Sequence, residues 1–144
     1  MVSFHILEDA PPADVGFVAS GATLDECFRA AADATLEVML GNPDALQLRE
    51  RRALHVESDS ADLALLKLLE ELIYYKDTDG LFLRVTRVQV EHDGARWVVD
   101  ATAEGEAIDP ARHQLSGDVK AVTLHRLRVE QIEGGWQATV VLDI

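Results

Sequence analysis

The spacing of apolar and polar positions divides the chain into short β segments at each end and two helices between them. Ser3 to Leu7 reads as a short strand, and Glu8 to Asp14, with two prolines and three acids, as a loop. Val15 to Ser20 reads as a second strand stopped by Gly21. Thr23-Leu24-Asp25-Glu26 is a capping box, in which a threonine hydroxyl and a glutamate carboxylate satisfy the free amides of a helix start. Cys27, Phe28, Ala31, Thr35 and Val38 then recur on one side of that helix, and Gly41 and Pro43 end it. Arg52 to Ser58 reads as a strand. Ala61 to Lys76 is a second helix whose leucines cover so much of its circumference that it must be largely buried, with Lys67, Glu70 and Glu71 on its wet side.

The remainder is β. Leu81, Leu83 and Val85 share one parity and Val88 and Val90 the other, which predicts a bulge near Thr86. A turn at Asp93-Gly94 leads into Trp97, Val99, Ala101 and Ala103, alternating with polar residues. A loop is expected from Glu106 to Asp118. A long strand follows from Val119 to Glu130, then a hairpin turn at Glu133-Gly134-Gly135 and a last strand from Trp136 to Ile144. The expected architecture is α+β: two helices on a largely antiparallel sheet or sandwich, in a single domain spanning residues 1–144.

Composition changes this picture in one respect. The fractions of hydrophobic (48%) and charged (27%) residues are ordinary for a globular domain, but the formal net charge is −13, from 26 acidic and 13 basic residues. Nucleic-acid affinity depends on neutralising phosphates with Lys and Arg, so stable direct nucleic-acid binding is not expected. The acidity reads either as a solvated surface or as the complement of a basic partner. No segment has the length or apolarity of a membrane span, and no secretory signal is visible; a cytoplasmic address is the expectation. Cys27 is the only cysteine and lies on the apolar stripe, as a small buried hydrophobe would.

Enzyme signatures are sparse. No phosphate-cradling glycine loop, HExxH, CxxC or GxSxG occurs. The five histidines have no helical i,i+4 pair, which suggests structural or surface roles. Asp77-Thr78-Asp79-Gly80 resembles the start of a calcium loop, but its twelfth position is Val88 rather than a bidentate glutamate, so a polar turn with Gly80 as helix cap is expected. His125 shares strand parity with Val119, Ala121 and Thr123, beside a core face. Lys120, on the other parity, reads as a lysine reaching to solvent or as a functional cation. At Asp143-Ile144 a side-chain carboxylate adjoins the final carboxylate, with Asp14 as a third if the second strand lies near the last. Such a group reads either as a solvated end or as oxygen ligands for a hard divalent ion.

In order and spacing, Ala13-Asp14-Val15-Gly16, LLEELIYYKDTDGL (68–81), GEAIDPARHQLSGDVKAVTLH (105–125) and WQATVVLDI (136–144) resemble the blocks of the archease family. The resemblance implies a non-enzymatic activator of an RtcB-type, GTP-dependent RNA ligase. That ligase joins 3′-phosphate or 2′,3′-cyclic phosphate ends to 5′-hydroxyl ends in tRNA splicing or RNA repair, and archeases promote its guanylylation and multiple turnover. The resemblance also implies a divalent cation, calcium in the first instance with magnesium or manganese as alternatives, held by Asp14, Asp143 and the chain-end carboxylate of Ile144. Lys120 and His125 fall in the block linked to activation of the partner. Where relatives carry His-Thr before the Ala-Asp pair, this chain has Pro11-Pro12. Two other classes remain open: a protein-binding scaffold or chaperone for RNA-modification enzymes, and a metal-dependent hydrolase using the same carboxylates.

Overall fold

In the computed structural model, which describes residues 3–7 and 14–144, the chain forms two antiparallel sheets with two helices packed against both. The first sheet holds β1 (Ser3–Leu7), β2 (Asp14–Gly21), β6 (Ala121–Val122), β7 (Arg128–Ile132) and β8 (Gly135–Asp143). Its order is β1-β2-β8-β6, and β7 also pairs with β8. The second holds β3 (Glu50–Ser58), β4 (Leu81–Asp93) and β5 (Arg96–Ala107) in the order β3-β5-β4. The expected α+β class is the observed one. Pro11 and Pro12 lie outside the described residues.

The first helix, α1 (Leu24–Met39), starts as its capping box predicts. The Thr23 hydroxyl accepts the Glu26 amide at 3.1 Å, and the Glu26 carboxylate accepts the Ala22 amide at 2.9 Å. A side-chain N-cap of this kind contributes about 1 kcal/mol. Its buried stripe is wider than the spacing of large residues suggests, because Ala30, Ala31, Ala32 and Ala34 are also shut off from solvent. Small side chains let neighbouring strands approach closely on several sides at once.

The second helix, α2 (Ala61–Asp79), runs three residues past the expected end at Lys76. Asp77, Thr78 and Asp79 form its last turn rather than a separate polar loop. Gly80 stops it with φ +63°, a left-handed conformation that costs glycine nothing and lets its amide reach the Tyr75 carbonyl. Leu65, Leu68, Leu69, Leu72 and Ile73 enter the core. Among the described residues, no helix is long and apolar enough to cross a membrane.

The bulge predicted at Thr86 is there: register shifts between Val85 and Arg87. The displaced Thr86 hydroxyl donates to Glu104 Oε1 at 2.7 Å. By contrast, the single strand expected from Val119 to Glu130 is two short ones with a break between them. Val122 opposes Leu142 and Arg128 opposes Thr139, so six steps of chain (122 to 128) are matched to three (142 to 139). The surplus leaves the sheet as a turn through residues 123–127, with Arg126 at φ +60°. A left-handed non-glycine residue costs about 1 kcal/mol, which the hydrogen bonds on either side of the turn must offset.

Candidate functional site

Asp14 opens β2 and Asp143 closes β8, and the two are direct partners in the antiparallel register. Opposed residues of such a pair project from the same face with Cβ atoms roughly 5 Å apart. Both are half-buried. On its other side Asp143 pairs with Ala121, and the Lys120 amide donates to the Asp143 carbonyl at 2.8 Å. Three strand ends therefore converge, bringing together Asp14, Asp143 and the backbone of Lys120. Ile144 follows directly and lines a groove with Phe4, Val15, Val38 and Gly117.

Like charges set opposite one another in a sheet destabilise it, and a cation between them removes that penalty. The donor set fits a hard divalent ion as far as it goes: two carboxylates in register, all oxygen. Among the described residues no group of three His, Cys, Asp or Glu side chains is arranged to hold a metal, so at this place the two aspartates are the side-chain donors.

His125 does not lie beside a core face, as its parity predicts. It is exposed in the turn between β6 and β7, because the strand on which that parity was counted is interrupted. Lys120 is exposed, and its register position is one step off Asp143, with Ala121 taking the opposed place.

Sequence reasoning passed over two charged clusters that set the path of the chain into this site. In the first, Glu106, near the end of β5, is buried with its side chain 7% exposed. It accepts the Gln47 amide at 2.7 Å and His113 Nε2–H at 3.0 Å, and pairs with Arg112. The Asp109 amide donates to His113 Nδ1 at 2.9 Å, which leaves Nε2 as the protonated nitrogen and fixes the tautomer. Burial pushes the Glu106 carboxyl up, but the Gln47, His113 and Arg112 donors outweigh it and hold the pKa down at about 2. Arg112 also donates to the Ala45 carbonyl, and Asn42 takes the Gln114 amide at 2.7 Å.

In the second, Lys76 extends from the last turns of α2 with its side chain only 8% exposed. Its ammonium contacts Asp77 Oδ1, Asp118 Oδ1 and the Val119 carbonyl, each at 2.8 Å, which occupies all three donors. Burial alone would lower its pKa; the bonds to Asp118 and Asp77 outweigh that and raise it. Between the two clusters, residues 114–117 are laced to the end of α1 through Gly41, Met39 and Val38. The loop ahead of Lys120 has no regular secondary structure, yet it is tied at every few residues. Only spacing-independent signals, a lone acid before a turn and a lone lysine ending a helix, mark these residues in sequence.

Residues 4–144 match the Archease protein family (MTH1598/TM1083). The chain is 35% identical over 133 residues to a protein archease from Pyrococcus abyssi, covering 92% of this chain and 93% of that one. A protein archease from Aeropyrum pernix is 35% identical over 135 residues, with 92% of each covered. The solution structure of Methanobacterium thermoautotrophicum protein 1598 superposes with a TM-score of 0.83 at 31% identity, covering 98% of both chains. A Thermotoga maritima crystal structure described as an archease and possible chaperone gives a TM-score of 0.63 at 18% identity over 97% of this chain and 98% of that one, a likeness of fold.

Proposed function

This chain belongs to the archease family, and on that premise we propose that it activates an RtcB-type RNA ligase by promoting its guanylylation and repeated turnover. The activity served is the joining of 3′-phosphate or 2′,3′-cyclic phosphate ends to 5′-hydroxyl ends, in tRNA splicing or RNA repair. The observation that carries this reading is the register pairing of Asp14 with Asp143, with Lys120 tied by its amide to the same residue.

In this reading Asp14, Asp143 and the Ile144 carboxylate hold a divalent cation, calcium first and magnesium or manganese as alternatives. Three protein groups leave most of calcium's six to eight oxygen positions to water or to the partner. A cation bound there supplies positive charge where phosphoryl transfer needs it. Lys120 sets a second positive charge on the neighbouring strand end. The protein itself turns over no substrate. Its body, with a net charge of −13, complements a ligase surface built to hold RNA, and the pair work in the cytoplasm.

The test is guanylylation of the ligase from the same organism, with wild type and with Asp14→Ala, Asp143→Ala and Lys120→Ala. Each substitution is expected to reduce stimulation by at least about tenfold, the loss of one strong charge–charge contact. Full stimulation by all three variants would remove the proposal.

A further inference from the structure

Lys120 stands one register step from Asp143, with its amide on the Asp143 carbonyl at 2.8 Å. Asp14 and Asp143 oppose one another there as like charges, which a cation between them would relieve. A lysine carries its ammonium on a flexible four-carbon stem, long enough to reach them from this position. It is not used that way: among the described residues no ion pair joins Lys120 to either aspartate.

A second acid draws its charge. Asp118, two residues earlier, has Oδ1 on the Lys76 ammonium at 2.8 Å, and its side chain is 80% exposed. That ammonium is shared, because Asp77 Oδ1 lies at the same distance from it. One positive charge facing two negative ones leaves a negative charge over. The bond and charge of Lys76 lower the Asp118 pKa most, burial opposes them, and the charge of Lys120 adds to the lowering. Lys76 is only 8% exposed and also holds the Val119 carbonyl, so Asp118 acts from a tethered position.

We propose that Asp118, tethered by Lys76, is a positioning residue for Lys120: it holds the lysine ammonium off the Asp14–Asp143 pair and so keeps that pair open to a divalent ion. An ammonium resting on the two carboxylates would occupy oxygens that the ion needs and would repel it. With Asp118 in place the two cations stand side by side instead of competing for one seat. This role rests on the reading of Asp14 and Asp143 as cation ligands, and adds to it a residue that touches neither the ion nor its ligands.

The experiment is a calorimetric titration with calcium of wild type, Asp118→Asn, Lys120→Ala and the double variant, alongside a thermal melt of each. Asparagine keeps an oxygen for Lys76 and removes the charge. Asp118→Asn is expected to weaken calcium binding about fivefold or more, because Lys120 then settles on the aspartates. With alanine at position 120 the same substitution is expected to cost less than about twofold, a non-additivity that a purely structural role would not produce. Lys120→Ala alone is expected to bind calcium at least as tightly as wild type, since a repelling charge is gone. Wild-type affinity in Asp118→Asn overturns the positioning role and leaves the cation reading standing. An equal loss with and without Lys120 does the same, because the effect then bypasses the lysine. Absence of calcium binding by wild type overturns the cation reading, and this inference with it.

Discussion

Lys76 and Asp118 are joined by a 2.8 Å bond between the end of α2 and the last residues before β6. The same ammonium holds the Val119 carbonyl, so the backbone that delivers Lys120 to Asp143 is fixed from below by a nearly buried cation.

Replacing Lys76 by methionine keeps the apolar stem and removes those bonds. Hydrogen bonds to charged groups contribute about 1.5–3 kcal/mol each when buried, but Asp118 is well exposed and its share is screened. A loss of about 1–2 kcal/mol in urea unfolding is expected, with faster exchange of the Lys120 amide. Unchanged exchange at that amide would show that Lys76 does not position the segment.

Glu106 governs part of the acid limb of stability. Its folded pKa, about 2, lies below the ordinary 4.5, so its contribution is fully present above pH 4.5 and is lost as pH falls from there through about 2. Glu106→Gln is expected to destabilise at neutral pH by about 2 kcal/mol, since the one amide oxygen can serve either Arg112 or the His113 and Gln47 donors, and the NH2 faces the donors left over. It should also flatten the stability profile between pH 4.5 and 2, followed by urea unfolding at each pH.

His55 titrates in the opposite sense. Its ring bonds Asp100 at 2.6 Å and Glu57 at 2.8 Å on the exposed face of the second sheet, and Asp100 first, then Glu57, raises its pKa above 6.5. Stability from this group is present below pH 6.5 and is lost as pH rises through the raised value. Proton NMR of the imidazole should show a midpoint above 6.5 that falls in Asp100→Asn more than in Glu57→Gln.

Gly105 has no room for a side chain. A Cβ there would overlap the Phe82 carbonyl oxygen, where the start of β4 pairs with the end of β5. Gly105→Ala should cost about 3 kcal/mol or more, since relief requires separating two paired strands. A melting temperature close to wild type would contradict the packing described.

Calcium should stabilise the folded chain by mass action, by about 2.7 kcal/mol at a hundredfold excess over Kd. Asp143→Asn should abolish that increment while leaving the metal-free melt within a few degrees. An equal calcium-induced shift in wild type and Asp143→Asn would place the ion elsewhere.

The legible parts of this molecule were those written in local periodicity. The capping box at Thr23–Glu26 and the parity change at Thr86 each involve neighbours in sequence, and both appear where expected. The break after Val122 was not legible, because alternation continues through Thr123, His125 and Leu127 with no glycine or proline to mark it. A positive φ on an arginine leaves no pattern. Glu106 and Lys76 were missed for a related reason: their partners are fixed by tertiary packing, and a lone buried charge looks like a surface one in sequence. The Asp14–Asp143 register is also long-range: the residues raised it only on the condition that the second strand lies near the last, and it took the resemblance to a family to favour it.

That register has a temporal side. β2 is made long before β8, so the two aspartates cannot meet until the ribosome has passed residue 143. Contacts between residues so far apart in sequence are also the slow ones to form. A nascent or partly degraded chain lacking β8 would have no paired aspartates, whatever else of it had folded, and the carboxylate pair thereby reports that β2 and β8 are both present and joined.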